Sequence, residues 1–431
     1  MASADINFAL PGPYKTEIWR TLFPLPADVA DKFKLPPIKS LHLKLTYPKT
    51  SSHQAFPVLV FISGFAAYDD WYYRIVDRVA SWGYVVCQYE ALVGLLQLPW
   101  PMNPPTDEML VFQPLVDWLR TENANSSSKL HALLDLDSLL LGGHSRGGKV
   151  AALIYSDKVI GAGVKALYLV DPVDELEPSA AQALKDSGRP AGLTGAGHTS
   201  NFNPADVNYT TFFAGAANGS WSDVVPAAYH TDFCDTGNFL LNDAMAFLDH
   251  IPPLTNRKAR RVLQEKGPQV LAGTIPDSEI KELVSYDEEA FAEVKDVQKR
   301  FRAKSSTLAA DGTHTSTNGG GGANGSNGSG GSHADALSLN KARENPRQKF
   351  AELAATPMLA WFYQQLNCPT ADPNHLPQPL QTFWDWVAEQ QKAGNIGDFE
   401  VKGGPTPPPA QRLPGKAQPV PTEAVRGPAL A

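Results

Sequence analysis

Residues 138–153 read Ser-Leu-Leu-Leu-Gly-Gly-His-Ser-Arg-Gly-Gly-Lys-Val-Ala-Ala-Leu. An apolar run leads straight into a G-x-S-x-G pattern, and good helix formers follow. A serine on so sharp a strand-to-helix turn must take a strained backbone, and Gly143 and Gly147 are small enough for strand and helix to pass closely. The dipole of the following helix and the backbone N–H of Arg146 then face the place where an oxyanion would form. The spacing predicts that Ser145 is a nucleophile.

Outward from this stretch, residues 40–250 alternate short apolar runs with helical patterns, the rhythm of parallel βαβ units. Strands are expected at Phe56–Ser63, Tyr84–Tyr89, Ser138–Gly143, Lys165–Asp171 and Val224–Tyr229. Several runs are apolar without alternation, as strands covered on both faces must be. The predicted architecture is a doubly wound, mostly parallel α/β sheet. In a fold of this kind an acid and then a histidine follow the serine. Asp171 immediately follows an apolar run and is preferred to Asp174, although either also suits a turn cap. His230 follows Val224–Tyr229 and is the expected general base. His198, in a Gly/Thr-rich loop, and His250, at a helix end, read as structural or solvated, and His144, inside the elbow, as packing there or orienting the loop. A second oxyanion donor is expected from Ile62-Ser-Gly-Phe-Ala66, where Gly64 lets the backbone approach and Phe65 offers its N–H.

The chain has 431 residues with 34 Gly and 36 Pro, and these are clustered. Residues 1–250 are read as the catalytic core and 251–304 as a helical extension in which Asp277–Arg302 forms one helix. Residues 305–345, rich in Gly, Ser and Asn, read as a flexible linker. Residues 346–400 carry helices at Arg347–Leu366, kinked at Pro357, and Pro379–Gln391, which close the core. The Pro-rich stretch 401–431 reads as a disordered tail. The net charge of −8 argues against a nucleic-acid partner. Three scattered cysteines offer neither a disulfide framework nor a metal site. No apolar run is long enough to span a membrane, and neither a secretory signal nor a transit peptide is legible.

Gly143-His-Ser-Arg-Gly-Gly-Lys149 followed by Leu169-Val-Asp-Pro-Val173 resembles the chlorophyllases of plants and green algae. Pro57–Phe65, Val79–Val86 and Ala228–Phe233 are similar to the same family, so the likeness covers roughly residues 55–235. The family's acid sits in a D-P-V context, which matches Asp171. Ser63-Gly64 departs from the His-Gly of many lipases. The resemblance implies an α/β-hydrolase fold and hydrolysis of the phytyl ester of chlorophyll by Ser145, Asp171 and His230. It implies no metal or organic cofactor, and a chloroplast location, thylakoid-associated or cytosolic settings being alternatives. The family's final helix resembles Arg347–Leu366, so 251–345 reads as an insertion. Ala91–Met102 is unusually apolar and suits a pocket lining, a peripheral membrane contact or a buried helix edge alike. Two other functions remain open: a general lipase or carboxylesterase, and an inactive scaffold that binds pigment or a partner.

Overall fold

The computed structural model describes residues 6–32, 40–51, 54–65, 67, 69–89, 104–235, 247–310, 346–368 and 376–404. It divides into two units, one of residues 1–237 with 350–431 and one of residues 238–349. The second unit thus begins before the residue 251 expected from sequence.

In chain order the first unit holds β1 (Thr16–Pro24), α1 (Ala27–Ala30), β2 (Ser40–Pro48), β3 (Phe56–Ile62), a 3₁₀ turn (Asp69–Tyr72), α2 (Tyr73–Ser81), β4 (Val85–Tyr89), α3 (Pro105–Met109), α4 (Phe112–Ala124), β5 (Leu134–His144), α5 (Arg146–Ser156), β6 (Val164–Val170), α6 (Ala180–Ser187), β7 (Gly192–Ala196), α7 (Tyr209–Gly215), β8 (Trp221–Val225) and a second 3₁₀ turn (His230–Phe233). The second unit holds α8 (Arg257–Ala272), α9 (Asp277–Leu283) and α10 (Glu288–Ala310). Then come α11 (Pro346–Asn367), α12 (Gln378–Lys392) and β9 (Glu400–Val401).

Among the described residues, nine strands form one sheet in the order β1-β2-β4-β3-β5-β6-β7-β8-β9. The pairs from β4 through β8 are parallel, and β1, β2 and β9 add antiparallel edges. This is the mostly parallel α/β-hydrolase architecture that the sequence predicts. Strand order reverses between β3 and β5, so the loops leaving their carboxyl ends diverge and leave a crevice there. The central strands are buried on both faces; Val58, Leu59, Val60, Phe61 and Ile62 of β3 are all in the core. Helix α2 buries Ile75, Val76, Val79 and Ala80 along one stripe, which is why that amphipathic stretch lies down as a helix on the sheet.

Four expectations need correction. The last parallel strand is Trp221–Val225, not Val224–Tyr229, because its polar Ser222 and Asp223 are buried and Asp223 accepts a hydrogen bond from Thr194 of β7. Asp277–Arg302 is two helices; Ser285 and Tyr286 take left-handed φ of 54° and 56° and turn the chain between them. Helix α10 continues to Ala310, into the stretch read as linker. Val401, read as the start of the tail, pairs with Trp221 as strand β9. The remainder of those two segments, 311–345 and 405–431, lies outside the described residues, as does Ala91–Met102.

Helices α11 and α12 do cover the sheet. Trp221 of β8 packs edge-on against Trp361 of α11 and Trp384 of α12 and stacks on Phe383 at 5.4 Å. Each such large apolar side chain contributes about 1.5–3 kcal/mol through burial. Helix α11 runs unbroken through Pro357.

Candidate active site

Ser145 sits between β5 and α5 with φ 57° and ψ −128°, a conformation that L-residues avoid and that a nucleophile elbow requires. The flanking glycines are obligatory for a steric reason. A Cβ on Gly147 would lie 2.2 Å from the carbonyl oxygen of Ile62, and one on Gly143 would lie 2.6 Å from the backbone of Gly147. The helix start is therefore pressed against the end of β3, with Arg146 as the first residue of α5. The first amides of a helix have no acceptor within it, and the Arg146 N–H is one of them, at the mouth of the elbow.

The structure brings together the three side chains expected to act with one another. Ser145 Oγ lies 2.8 Å from Nε2 of His230, and Nδ1 of His230 lies 2.6 Å from Oδ2 of Asp171. Asp171 caps β6 at the same edge of the sheet, fully buried and with a left-handed φ of 38°. Its carboxylate accepts two further hydrogen bonds, from the Ala196 amide to Oδ1 and from Asn203 Nδ2 to Oδ2, both at 3.0 Å. Neither partner was foreseen. Ala196 is recruited through its backbone, and Asn203 from a loop 32 residues away, so no local spacing announces them. A carboxylate facing the Nδ1–H of a histidine whose Nε2 faces a serine hydroxyl is the arrangement that turns the hydroxyl into a nucleophile.

Asp174 has a different task. It pairs with the buried Lys149 ammonium at 2.9 Å and accepts from the Ala180 and Ala181 amides at the start of α6 and from Ser179 Oγ. Lys149 also donates to the carbonyls of Glu175 and Leu176. The lysine of the G-H-S-R-G-G-K segment thus moors the loop that carries Asp171. The Arg146 guanidinium is engaged by the buried Glu108 of α3.

His144 packs under the elbow, as expected, and also makes polar contacts. Its Nδ1 is 2.9 Å from Tyr72 Oη and its Nε2 is 3.0 Å from the carbonyl oxygen of His230. Burial and the neighbouring His230 hold its pKa well below the ordinary histidine value, so it is neutral. Burial likewise holds the Tyr72 hydroxyl protonated. Tyr72 Oη accepts from the Gly64 amide at 2.9 Å, which commits that N–H and leaves Phe65 the next amide of the loop. Gly64 itself crosses close to Ser145, since a Cβ there would lie 3.2 Å from Ser145 Cβ. The His198 ring is stacked on Tyr229 at 4.3 Å and is not part of the Ser145–His230–Asp171 contact, and His250 belongs to the second unit.

The chlorophyllase family model matches residues 27–261, more than half of the sequence and a span that includes every residue of this site. The chain belongs to the chlorophyllase family. Among curated proteins none is similar enough in sequence to stand as a relative. As a chlorophyllase-family protein it is an α/β-hydrolase of the ester-hydrolysing kind, and the family implies a pigment ester as substrate. Among the described residues, no group of three or more His, Cys, Asp or Glu side chains converges as a metal site would require. Nor is any described helix long and apolar enough to cross a membrane.

Proposed function

We propose that the protein hydrolyses the ester joining phytol to chlorophyll, giving chlorophyllide and phytol, by acyl transfer through Ser145, His230 and Asp171 in the chloroplast. The observation that carries the proposal is the unbroken contact from Asp171 through His230 to Ser145 Oγ at a strained elbow, within the family match. His230 Nε2 takes the proton from Ser145 Oγ as the oxygen attacks the ester carbonyl. The amides of Arg146 and Phe65 receive the oxyanion of the tetrahedral intermediate. Asp171 keeps the proton of neutral His230 on Nδ1 and stabilises the imidazolium that forms. Collapse expels phytol, protonated by His230. A water molecule, deprotonated by the same imidazole, then attacks the acyl-enzyme and releases chlorophyllide. The magnesium of chlorophyll belongs to the substrate and takes no part.

The test is incubation of the full chain with chlorophyll a and chromatography of the products. Chlorophyllide formed by the unmodified protein, and reduced by several orders of magnitude in Ser145→Ala, is the expected result. Cleavage of p-nitrophenyl esters with no chlorophyllide would assign a general carboxylesterase instead. Activity that survives Ser145→Ala would refute the triad.

A further inference from the structure

Hydrolysis as just described gives no task to Tyr72 and His144, yet these two buried side chains run between the oxyanion loop and the base. Cys234 Sγ lies beside them, 3.8 Å from His144 Nδ1. The His230 carbonyl can only accept, so His144 Nε2 carries the proton. A neutral imidazole then presents a lone pair at Nδ1, which faces Tyr72 Oη at 2.9 Å and Cys234 Sγ at 3.8 Å, both able to donate. The Tyr72 oxygen in turn accepts from the Gly64 N–H.

We propose that Tyr72 and His144 are positioning residues, a relay that holds the oxyanion loop and His230 in register with each other across Ser145. The proposal rests on the hydrolytic reading above and adds to it. Two further observations carry it beyond packing. The histidine loop is moored to the same stretch that bears Tyr72: Asp235 accepts from the Arg74 amide at 2.7 Å and pairs with its guanidinium at 3.0 Å, while the Asp235 amide donates to the Trp71 carbonyl. Gly64 is also cut to fit the relay, because a Cβ there would meet Tyr72 Oη at 3.0 Å and His144 Nδ1 at 3.1 Å. Tyr72 anchors Gly64 through its amide, and the Ala67 amide, donating to the Gly64 carbonyl at 3.2 Å, holds the next peptide plane, which carries the Phe65 N–H. The His230 backbone is fixed from the other end. A displacement of about 1 Å between a catalytic group and its target costs about 100-fold in rate, so removing the link should act on turnover and not on substrate affinity.

The experiment measures hydrolysis of p-nitrophenyl butyrate by the full chain, with active serines counted by a fluorophosphonate label. Tyr72→Phe removes the hydroxyl, and His144→Asn keeps an acceptor toward Tyr72 but falls short of the His230 carbonyl. In each, kcat per labelled site is expected to fall about 10- to 100-fold with KM within about twofold. Because both changes cut one chain, the double variant should fall no further than the worse single variant. Unchanged kcat per labelled site in either variant, or losses that multiply in the double variant, would overturn the relay. If Tyr72→Phe yields no soluble protein, His144→Asn decides alone by the same criterion. An unmodified chain that takes up no fluorophosphonate would overturn the hydrolase reading itself, and the relay with it.

Discussion

Replacing Asp171 by Asn separates the orienting carboxylate from its neighbour Asp174 and tests the assignment at the level of single protons. The carboxylate accepts three hydrogen bonds, from the Ala196 amide, Asn203 Nδ2 and His230 Nδ1. An asparagine amide offers one oxygen and one NH₂ in the same volume. With its oxygen toward Ala196, the NH₂ faces the Asn203 amide and forces Nδ1 of His230 to become an acceptor. The ring proton then moves to Nε2, and the imidazole donates to Ser145 instead of accepting from it. With the amide turned over, the Ala196 N–H faces a donor in a fully buried site, at a cost of about 1–3 kcal/mol, and the imidazolium lacks its counter-charge. Loss of the productive tautomer at such a triad is worth roughly 10⁴ in kcat, or about 5 kcal/mol of transition-state stabilisation. Asp174→Asn should act otherwise. It leaves the Lys149 ammonium, 1% exposed, without its carboxylate. Breaking a buried pair costs about 3–5 kcal/mol of stability, which at about 2–4 °C per kcal/mol lowers Tm by roughly 6–20 °C. Its kcat per fluorophosphonate-labelled serine should stay within about tenfold of the unmodified chain. Both variants are to be measured side by side with p-nitrophenyl butyrate and by thermal melting. Equal kcat losses per labelled site would refute the division of labour between the two carboxylates.

Other substitutions test other parts of the structure. Gly147→Ala sets a methyl 2.2 Å from a backbone oxygen that cannot move alone, so soluble expression at 37 °C is expected to fail or Tm to drop sharply; a normal melt would show that the elbow is looser than described. Asp223 is buried without a partner for Oδ2 among the described residues, and burial raises its pKa from 3.8 to about 7. A carboxyl raised in the folded state favours folding fully below its unfolded pKa, and that contribution is lost as pH rises through the folded pKa. Stability should therefore decline between about pH 4 and 7 by up to about 1.4 kcal/mol per pH unit. Asp223→Asn keeps the acceptor for Thr194 and Tyr168, so its advantage in Tm should be larger at pH 8 than at pH 5, and a constant difference would show that the carboxyl does not titrate there.

The parts of this molecule that were legible in sequence are those written in local chemistry. The elbow announces itself because strand, glycines, serine and helix are contiguous, and Asp171 and His230 because each follows an apolar run. Elements whose reason for existing lies elsewhere in the fold were not legible. Strand β7 reads Gly-Leu-Thr-Gly-Ala, poor in strand formers, yet its glycines are demanded by distant rings: a Cβ on Gly192 would lie 2.5 Å from Tyr168, and one on Gly195 would lie 2.3 Å from Tyr209. Strand β8 was misplaced because Asp223 looks like a loop residue until Thr194 and Tyr168 are beside it. The turn at Ser285-Tyr286 contains neither Gly nor Pro and so left no mark. Tyr72, Asn203 and Ala196 reach the site only through tertiary contacts, which spacing does not encode.

The edge of the sheet has a consequence for how the protein is made. Trp221 emerges from the ribosome well before the helices and strand that cover it, because residues 238–349 are translated in between. At about 5–20 residues per second, that interval lasts roughly 6 to 20 s. For that time a nascent chain with Ser145, Asp171 and His230 already synthesised holds the indole of Trp221 and the open edge of β8 uncovered, a surface that chaperones bind and that other unfinished chains on the same message can reach.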